Sequence, residues 1–217
     1  GGSSVAAKPL IYDARAALGR CGSPYGQFTL TDALAGKVPA KLQIFLAAWS
    51  LTPTERRALA VNRPPNTTRV WCYAPGYLLP DRADIAAMNE VTGFKHRAVS
   101  PNSAEVTPTE AGRKVGLREP WGPKETIRPW FTIEANPAET LATYKDGSPA
   151  VALRRSKLGL DIFVGVPALT PELVRAFARM TGAHLFTEEN AAVWAAEGFL
   201  SIQAHKSGPL VIHTGRS

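Results

Sequence analysis

The stretch TTRVWCYAPGYLL, residues 67–79, decides the fold of this chain together with an earlier stretch, KLQIFLAAWS, residues 41–50. Each is a short apolar run rich in β-branched and aromatic residues and is followed by a helical pattern. Each therefore predicts a buried strand that leads into a crossover helix, and two such units in tandem predict a parallel sheet. The turn Ala74-Pro75-Gly76 follows the second strand, where a doubly wound fold normally holds its ligand or its catalytic groups.

The length and composition predict an ordinary globular protein. The chain has 217 residues, of which 45% are hydrophobic and 20% charged, so it can bury one core with a small appendage. No apolar run approaches the ~20 residues of a membrane span, so we expect no membrane contact. The chain begins at Gly1 without an initiator Met, which suggests a processing site or a piece of a longer protein, and the compartment is left open.

The charge and the metal-ligating residues suggest no further partner or cofactor. The net charge is +7, but the basic residues are scattered singly or in pairs such as Arg56-Arg57, which indicates a solvated surface rather than a nucleic-acid site. Cys21 and Cys72 form no CxxC or Cys/His spacing. The histidines are isolated as well, so we expect neither a metal nor another cofactor.

Turn formers and helix caps divide the rest of the chain. Strands are predicted at 25–30, 130–134, 141–144, 150–154 and 160–164, and helices at 10–20, 31–34, 53–62, 81–92 and 171–180. Thr52 and Thr170 each precede a Pro at the first helical position. Residues 99–128 are rich in Pro and predict a long irregular loop that binds a ligand, forms a lid or rests on a neighbour.

Two domains are expected from this pattern. Residues 1–182 form the α/β domain, and residues 183–217 contain four short strand-like pieces, HLFT, AVWA, FLSIQAH and PLVIH. These pieces predict a small antiparallel β appendage.

The order of the motifs resembles a known module. Residues 41–59, 67–78 and 85–97 (KLQIFLAAWSLTPTERRAL, TTRVWCYAPGYL, IAAMNEVTGFKHR) are similar to the class I glutamine amidotransferase-like domain of β-galactosidase-type glycoside hydrolases. In glycoside hydrolase family 42 this is the middle or trimerisation domain. Residues 146–155, 160–186 and 199–208 resemble its closing hairpin, last strand and helix, and the start of a following small β domain.

The resemblance implies a flavodoxin-like sheet with helices on both faces. It also implies that glycosidic bonds are broken elsewhere, in a separate (β/α)₈ barrel that carries the paired carboxylates of retaining hydrolysis. This sequence departs from the family pattern at its start. Family members have an apolar strand before the first helix of the module. Here only GGSSVAAKP precedes that helix, so either residues 5–7 form a short substitute or another segment or chain supplies the strand.

Cys72 is the catalytic candidate. True amidotransferases hold a nucleophilic Cys in a tight strand-to-helix turn, with a His and a Glu that return from late in the sequence. Cys72 lies close to that place, but strand alternation puts Ala74 nearer the turn. No His-Pro-Glu segment occurs, and His205 falls in the predicted appendage. We therefore interpret Cys72 as a buried, inert strand residue.

Aromatic residues near the strand ends are the binding candidates. Trp49, Trp71, Tyr73 and Tyr77 could form a platform for sugar, although such aromatics more often serve as core or interface anchors. Glu134 and Asp161 could suggest an acid/base pair but are interpreted as caps or surface charges.

The sequence thus predicts a non-catalytic accessory or oligomerisation domain of a larger β-galactosidase-like enzyme. Its partners would be the parent enzyme's catalytic barrel, identical subunits or both, with carbohydrate as a further candidate. Two alternatives stay open: a stand-alone hydrolase that uses Cys72, and a free-standing sugar-binding module.

Overall fold

A mixed six-stranded sheet forms the centre of the protein. The computed structural model describes residues 7–100, 102–124 and 127–215. The sheet contains β1 (Leu42–Phe45), β2 (Thr68–Cys72), β4 (Val106–Pro108), β6 (Thr140–Tyr144), β7 (Pro149–Ser156) and β8 (Gly159–Val164). Their order is β1-β2-β8-β7-β6-β4. β1, β2 and β8 are parallel, and β7, β6 and β4 extend the sheet as antiparallel neighbours.

Two smaller sheets accompany it. β3 (His96–Val99) pairs with β5 (Trp130–Ile133), and β9 (Ala191–Ala196) pairs with β10 (Phe199–Ala204), both antiparallel. The β9–β10 hairpin is tied to the N-terminal part of the chain by a bridge between Cys21 and Ala191. The predicted division into 1–182 and 183–217 stays a prediction.

Helices cover both faces of the central sheet. They are a π-helical turn (Lys8–Asp13) that runs into α1 (Ala14–Leu18), then α2 (Leu30–Leu34), α3 (Pro53–Val61), α4 (Ile85–Thr92), α5 (Glu110–Lys114) and α6 (Pro171–Thr181). Leu59 of α3 and Met88 of α4 belong to the core cluster on one face, and Leu173 and Phe177 of α6 to the cluster on the other. The predicted α/β architecture is therefore confirmed. Within the described ranges, no helix has the length and apolar character needed to cross a bilayer.

The predicted helix start at Thr52 is confirmed. Thr52 Oγ1 accepts a hydrogen bond from the Glu55 amide at 3.2 Å, and a Glu55 carboxylate oxygen accepts one from the Thr52 amide at 2.7 Å. This reciprocal capping box satisfies two amides that a helix start leaves unpaired. Thr170 caps α6 in a similar way, by accepting a bond from the Leu173 amide at 3.2 Å.

Other predicted elements were wrong. Residues 25–30 do not form the predicted strand. Residues 24–29 are exposed, and no strand of the described chain lies beside them. Thr29 caps α2, which begins at Leu30. The loop predicted at 99–128 contains β4 and α5, because Val106–Pro108 pairs with β6 and adds an edge strand. Of the four strand-like pieces after residue 183, HLFT and PLVIH form no strand.

The expected first strand of the module has no counterpart in the described part of the chain. Ala7 belongs to a helix, and Val5 and Ala6 lie outside the described residues. The outer edge of β1 has no strand partner there, since β1 is the first strand in the sheet order.

A buried ion pair lies between β2 and β8. The Asp161 carboxylate, in β8, is 3% exposed and accepts hydrogen bonds from Arg63 Nη1 at 2.9 and 3.0 Å. Trp71 Nε1, from the neighbouring β2, also donates to it at 3.1 Å. Asp161 is therefore the centre of a hydrogen-bonded group and not the cap or surface charge that the sequence suggested.

Two more arginines surround this pair. Arg154 Nη2 lies 3.6 Å from Asp161 Oδ2. The Arg69 guanidinium is 3% exposed, lies over the rings of Phe45 and Trp71, and donates to the Leu59 carbonyl. Burial, with a smaller contribution from Arg63, lowers the pKa of Arg69 to about 10. Three arginines surround the Asp161 carboxylate. This one negative charge is therefore the main group that compensates their positive charge.

We predict that Asp161→Asn lowers the free energy of unfolding by about 3–5 kcal/mol, because removing one partner leaves the other charge buried and unpaired. Urea unfolding followed by far-UV circular dichroism measures the change. Glu134→Gln is the matched control, since Glu134 is exposed and pairs with Lys95 at 3.3 Å, and it should change stability by less than about 0.5 kcal/mol. Equal losses in the two variants would show that the buried pair has no special role.

Candidate functional site

The carboxyl ends of β1, β2 and β8 meet at one edge of the sheet, which is where an open α/β sheet usually binds its ligand. The turn after β2 is held from both sides. The Tyr73 amide donates to the Val164 carbonyl at 2.7 Å, and the amides of Gly76 and Leu78 donate to the carbonyls of Ala48 and Trp49 at 2.7 and 2.8 Å. The position of this turn is therefore fixed by both neighbouring strands.

Tyr73 occupies the bend itself. Its φ angle is 66°, in the left-handed region that a bulky side chain rarely adopts. From the sequence, we expected the bend nearer Ala74. In the structure it lies one residue earlier. Strain of this kind persists only where the surroundings fix it, and it often marks a functional position.

The Tyr73 side chain is directed into the protein. It is 7% exposed, its hydroxyl donates to the Pro129 carbonyl at 2.8 Å, and its ring packs edge-on against Phe131 at 5.6 Å between centroids. Burial raises the pKa of Tyr73 to about 12, and Tyr77 contributes in the same direction. The bend is thus filled by a neutral side chain that ties it to the segment before β5.

Cys72 is the last residue of β2 and lies just before the bend. It is 4% exposed, and burial raises the pKa of its thiol to about 12. With Leu46 and Val164 it lines a cavity of about 10 Å³, which is no larger than one water molecule requires. At neutral pH this thiol is almost entirely protonated, and a substrate has no space beside it.

The other aromatic candidates lie close to Tyr73 but do not form an open platform. The bridge between Ser50 and Leu78 places the backbones of Trp49 and Tyr77 side by side. Tyr77 packs edge-on against Phe131 at 4.9 Å and, like Trp49, is only partly buried at the margin of the core cluster. Trp71 is 1% exposed and stacks on Phe45 at 4.5 Å.

The histidines lie apart from Cys72. His96 is 7% exposed and packs edge-on against Phe163, in the core cluster on the face opposite that of Cys72. Its Nδ1 lies 3.0 Å from Asn89 Oδ1, so Nδ1 carries the proton. Burial lowers the pKa of His96 to about 4. His184 Nε2 bonds to the His213 carbonyl at 2.8 Å, and His205 is exposed in the residues after β10.

The two acids that the sequence suggested as an acid/base pair have different surroundings. Glu134 is exposed beside Lys95, whereas Asp161 is buried and bonded to Arg63. In the described ranges, no cluster of three or more His, Cys, Asp or Glu side chains has a geometry that could hold a metal ion.

A second candidate site lies in the Pro-rich segment. A cavity of about 410 Å³ opens between residues 102–105 on one side and residues 122–124, 128 and 130 on the other. Its polar lining includes Asn102, Ser103, Glu105, Lys124, Arg128 and Trp130. The sequence predicted a loop here that binds a ligand, forms a lid or rests on a neighbour. It indicated none of these residues, because they follow no motif and come together only when the two arms of the loop meet.

Sequence comparison gives no relative. No protein-family model matches this chain, and no curated protein matches it.

Structure comparison identifies β-galactosidases as proteins that contain a similar fold. The chain superposes on β-galactosidases from Bacillus circulans sp. alkalophilus (TM-score 0.60, 15% identity) and Rahnella sp. R3 (0.61, 17%), and on a catalytic mutant of a family 42 β-galactosidase from G. stearothermophilus (0.62, 15%). These matches cover 89%, 85% and 94% of this chain but only 30%, 29% and 30% of those chains. At such identities the likeness establishes the fold alone: this chain has the fold of a part of these β-galactosidases that spans about 30% of their length.

Proposed function

We propose that this chain is a non-catalytic accessory and oligomerisation domain of a larger carbohydrate-active enzyme, a β-galactosidase-like glycoside hydrolase. The observation that carries the proposal is the asymmetry of the structural matches, which cover 85–94% of this chain but 29–30% of each β-galactosidase. A chain that matches one part of a larger enzyme over nearly its whole length is best explained as a domain of such an enzyme.

The acids of the chain support a role outside bond cleavage. A retaining glycosidase needs two carboxyl groups about 5–5.5 Å apart, one of them free to act as a nucleophile. Among the described residues, Asp161 is the only buried acid, and Arg63 and Trp71 already occupy its oxygens.

The finer part of the proposal concerns the type of fold. We assign the sheet to the flavodoxin-like, class I glutamine amidotransferase-like group. The parallel strands β1, β2 and β8 are each followed by a helix (α3, α4 and α6). In this assignment, the left-handed bend at Tyr73 corresponds to the nucleophile position of an amidotransferase, and a tyrosine that bonds to the Pro129 carbonyl takes the place of the reactive thiol.

The β9–β10 hairpin supplies the proposed contact surface. Trp194 lies opposite Ser201, and Phe199 lies opposite Ala196, so the two aromatic side chains are diagonal neighbours on one face of the hairpin. They are 55% and 65% exposed. Exposed aromatic residues in a group are typical of protein interfaces, where they often contribute most of the binding energy.

Alkylation tests the non-catalytic role. We predict that Cys72 of the native protein does not react with iodoacetamide at pH 7, because raising a thiol pKa from 9.0 to about 12 lowers the thiolate fraction about 1,000-fold. Peptide mass spectrometry measures the label. Ser207→Cys, at an exposed position, is the positive control and should react within minutes. Rapid, selective labelling of Cys72 without denaturant would instead support a cysteine-dependent hydrolase.

Self-association tests the oligomerisation role. We predict that the protein associates at about 100 µM, and that the double variant Trp194→Ser and Phe199→Ser is monomeric because it loses two aromatic anchors. Light scattering coupled to size-exclusion chromatography gives the masses. The matched control exchanges Tyr12 and Leu158 for Ser, since both are exposed, at 66% and 57%, outside the hairpin. A monomeric wild-type protein would rule out the hairpin as a contact between copies.

A further inference from the structure

The cavity in the Pro-rich segment has a fixed frame. Val106 and Trp121 exchange backbone hydrogen bonds of 2.8 and 3.1 Å, which hold the two arms of the loop together next to Glu105 and Gly122 in the cavity lining. Gly122 continues this close approach, because a Cβ added there would lie 3.0 Å from both the Ala104 oxygen and Glu105 Cα. The cavity, at about 410 Å³, falls in the lower part of the range for small-molecule sites.

Trp130 forms the inner wall. It is 2% exposed, and its ring lies nearly parallel to that of Tyr144, with 11° between the planes and 6.3 Å between centroids. The Arg128 guanidinium carbon lies 4.7 Å from the centroid of Trp130. The arginine is therefore held at the cavity by a cation–π contact.

A polar group in this wall lacks a partner. The indole N–H of Trp130 is buried, and no described residue accepts a hydrogen bond from it. An indole nitrogen can only donate, and leaving such a donor unpaired costs free energy. A ligand that brings an acceptor into the cavity would relieve that cost after a small movement of the wall.

Among the described residues, the charged groups of the cavity have no ion-pair partner. Lys124, Arg128 and Glu105 are exposed, so a ligand can reach them, and none of them makes an ion pair with another described residue. Two exposed cations favour an anionic group with several acceptor oxygens. Glu105 accepts hydrogen bonds from hydroxyl groups, and Asn102 can both donate and accept.

We propose that this cavity binds a hydroxylated carboxylate of the size of a sugar acid. Arg128 and Lys124 bind the carboxylate, and Glu105 and Asn102 bind the hydroxyl groups. A neutral sugar is disfavoured, because it offers no negative charge to Lys124 and Arg128 and because Trp130 is too deeply buried to offer a ring face for stacking. This site is independent of the accessory role proposed above, since it rests only on groups within the loop.

Calorimetric titration with sodium D-galacturonate tests the proposal, with D-galactose and sodium sulfate as comparison ligands. We expect saturable binding of galacturonate, with both comparison ligands at least about tenfold weaker, because each lacks one half of the recognised chemistry. Lys124→Met should weaken galacturonate binding about tenfold. Arg128→Lys should weaken it to a similar degree, because lysine keeps the charge but loses the planar fork.

Matched controls are available at exposed positions in and beside the β7–β8 turn. Lys157→Met and Arg155→Lys make the same chemical changes outside the cavity and should leave the affinity unchanged. If Arg128→Lys fails to fold, as judged by its urea midpoint, Lys124→Met decides the test alone.

Four results would overturn the proposal. The first is the lack of saturable galacturonate binding at millimolar concentrations, and the second is equal affinity for galactose. The third is equal affinity for sulfate, which would indicate an adventitious ion only. The fourth is galacturonate binding that Lys124→Met does not weaken.

Discussion

The contact between Arg63 and Asp161 fixes how the two halves of the sheet meet. Asp161 lies in β8 opposite Arg69 of β2, and its oxygens bond to Arg63, just before β2, and to Trp71 within β2. These buried groups are satisfied only when β2 and β8 are neighbours in this register, because a slip would leave both charges without partners. The parallel centre of the sheet, and with it the turn after β2, depends on that register.

The turn after β2 combines a strained backbone with inert side chains. The backbone at Tyr73 adopts a left-handed conformation that is unfavourable for a bulky residue. The Tyr73 hydroxyl is nevertheless bonded to the Pro129 carbonyl, and the neighbouring Cys72 thiol is enclosed by apolar side chains. The strain is retained because bonds to Val164, Ala48 and Trp49 hold the turn on both sides, so the geometry can persist without a reaction.

The parallel strands of the central sheet and the helix caps could be predicted because they depend on local patterns. The apolar runs at β1, β2 and β8 and the capping box at Thr52 are of this kind. What could not be predicted depends on distant partners. Residues 25–30 have strand-like composition but no sheet edge beside them, Asp161 finds Arg63 98 positions away, and the cavity at Arg128 and Trp130 needs both arms of a loop. No periodicity in the sequence encodes those contacts.

The size of the native polypeptide that contains this chain tests the proposed role as a domain of a larger enzyme most directly. Mass spectrometry of peptides from the purified native protein, combined with its intact mass, gives that size. Because this chain matches about 30% of each β-galactosidase, the proposed accessory role predicts a polypeptide roughly three times as long. A native polypeptide that consists of these 217 residues alone would contradict the role of a domain within a larger enzyme.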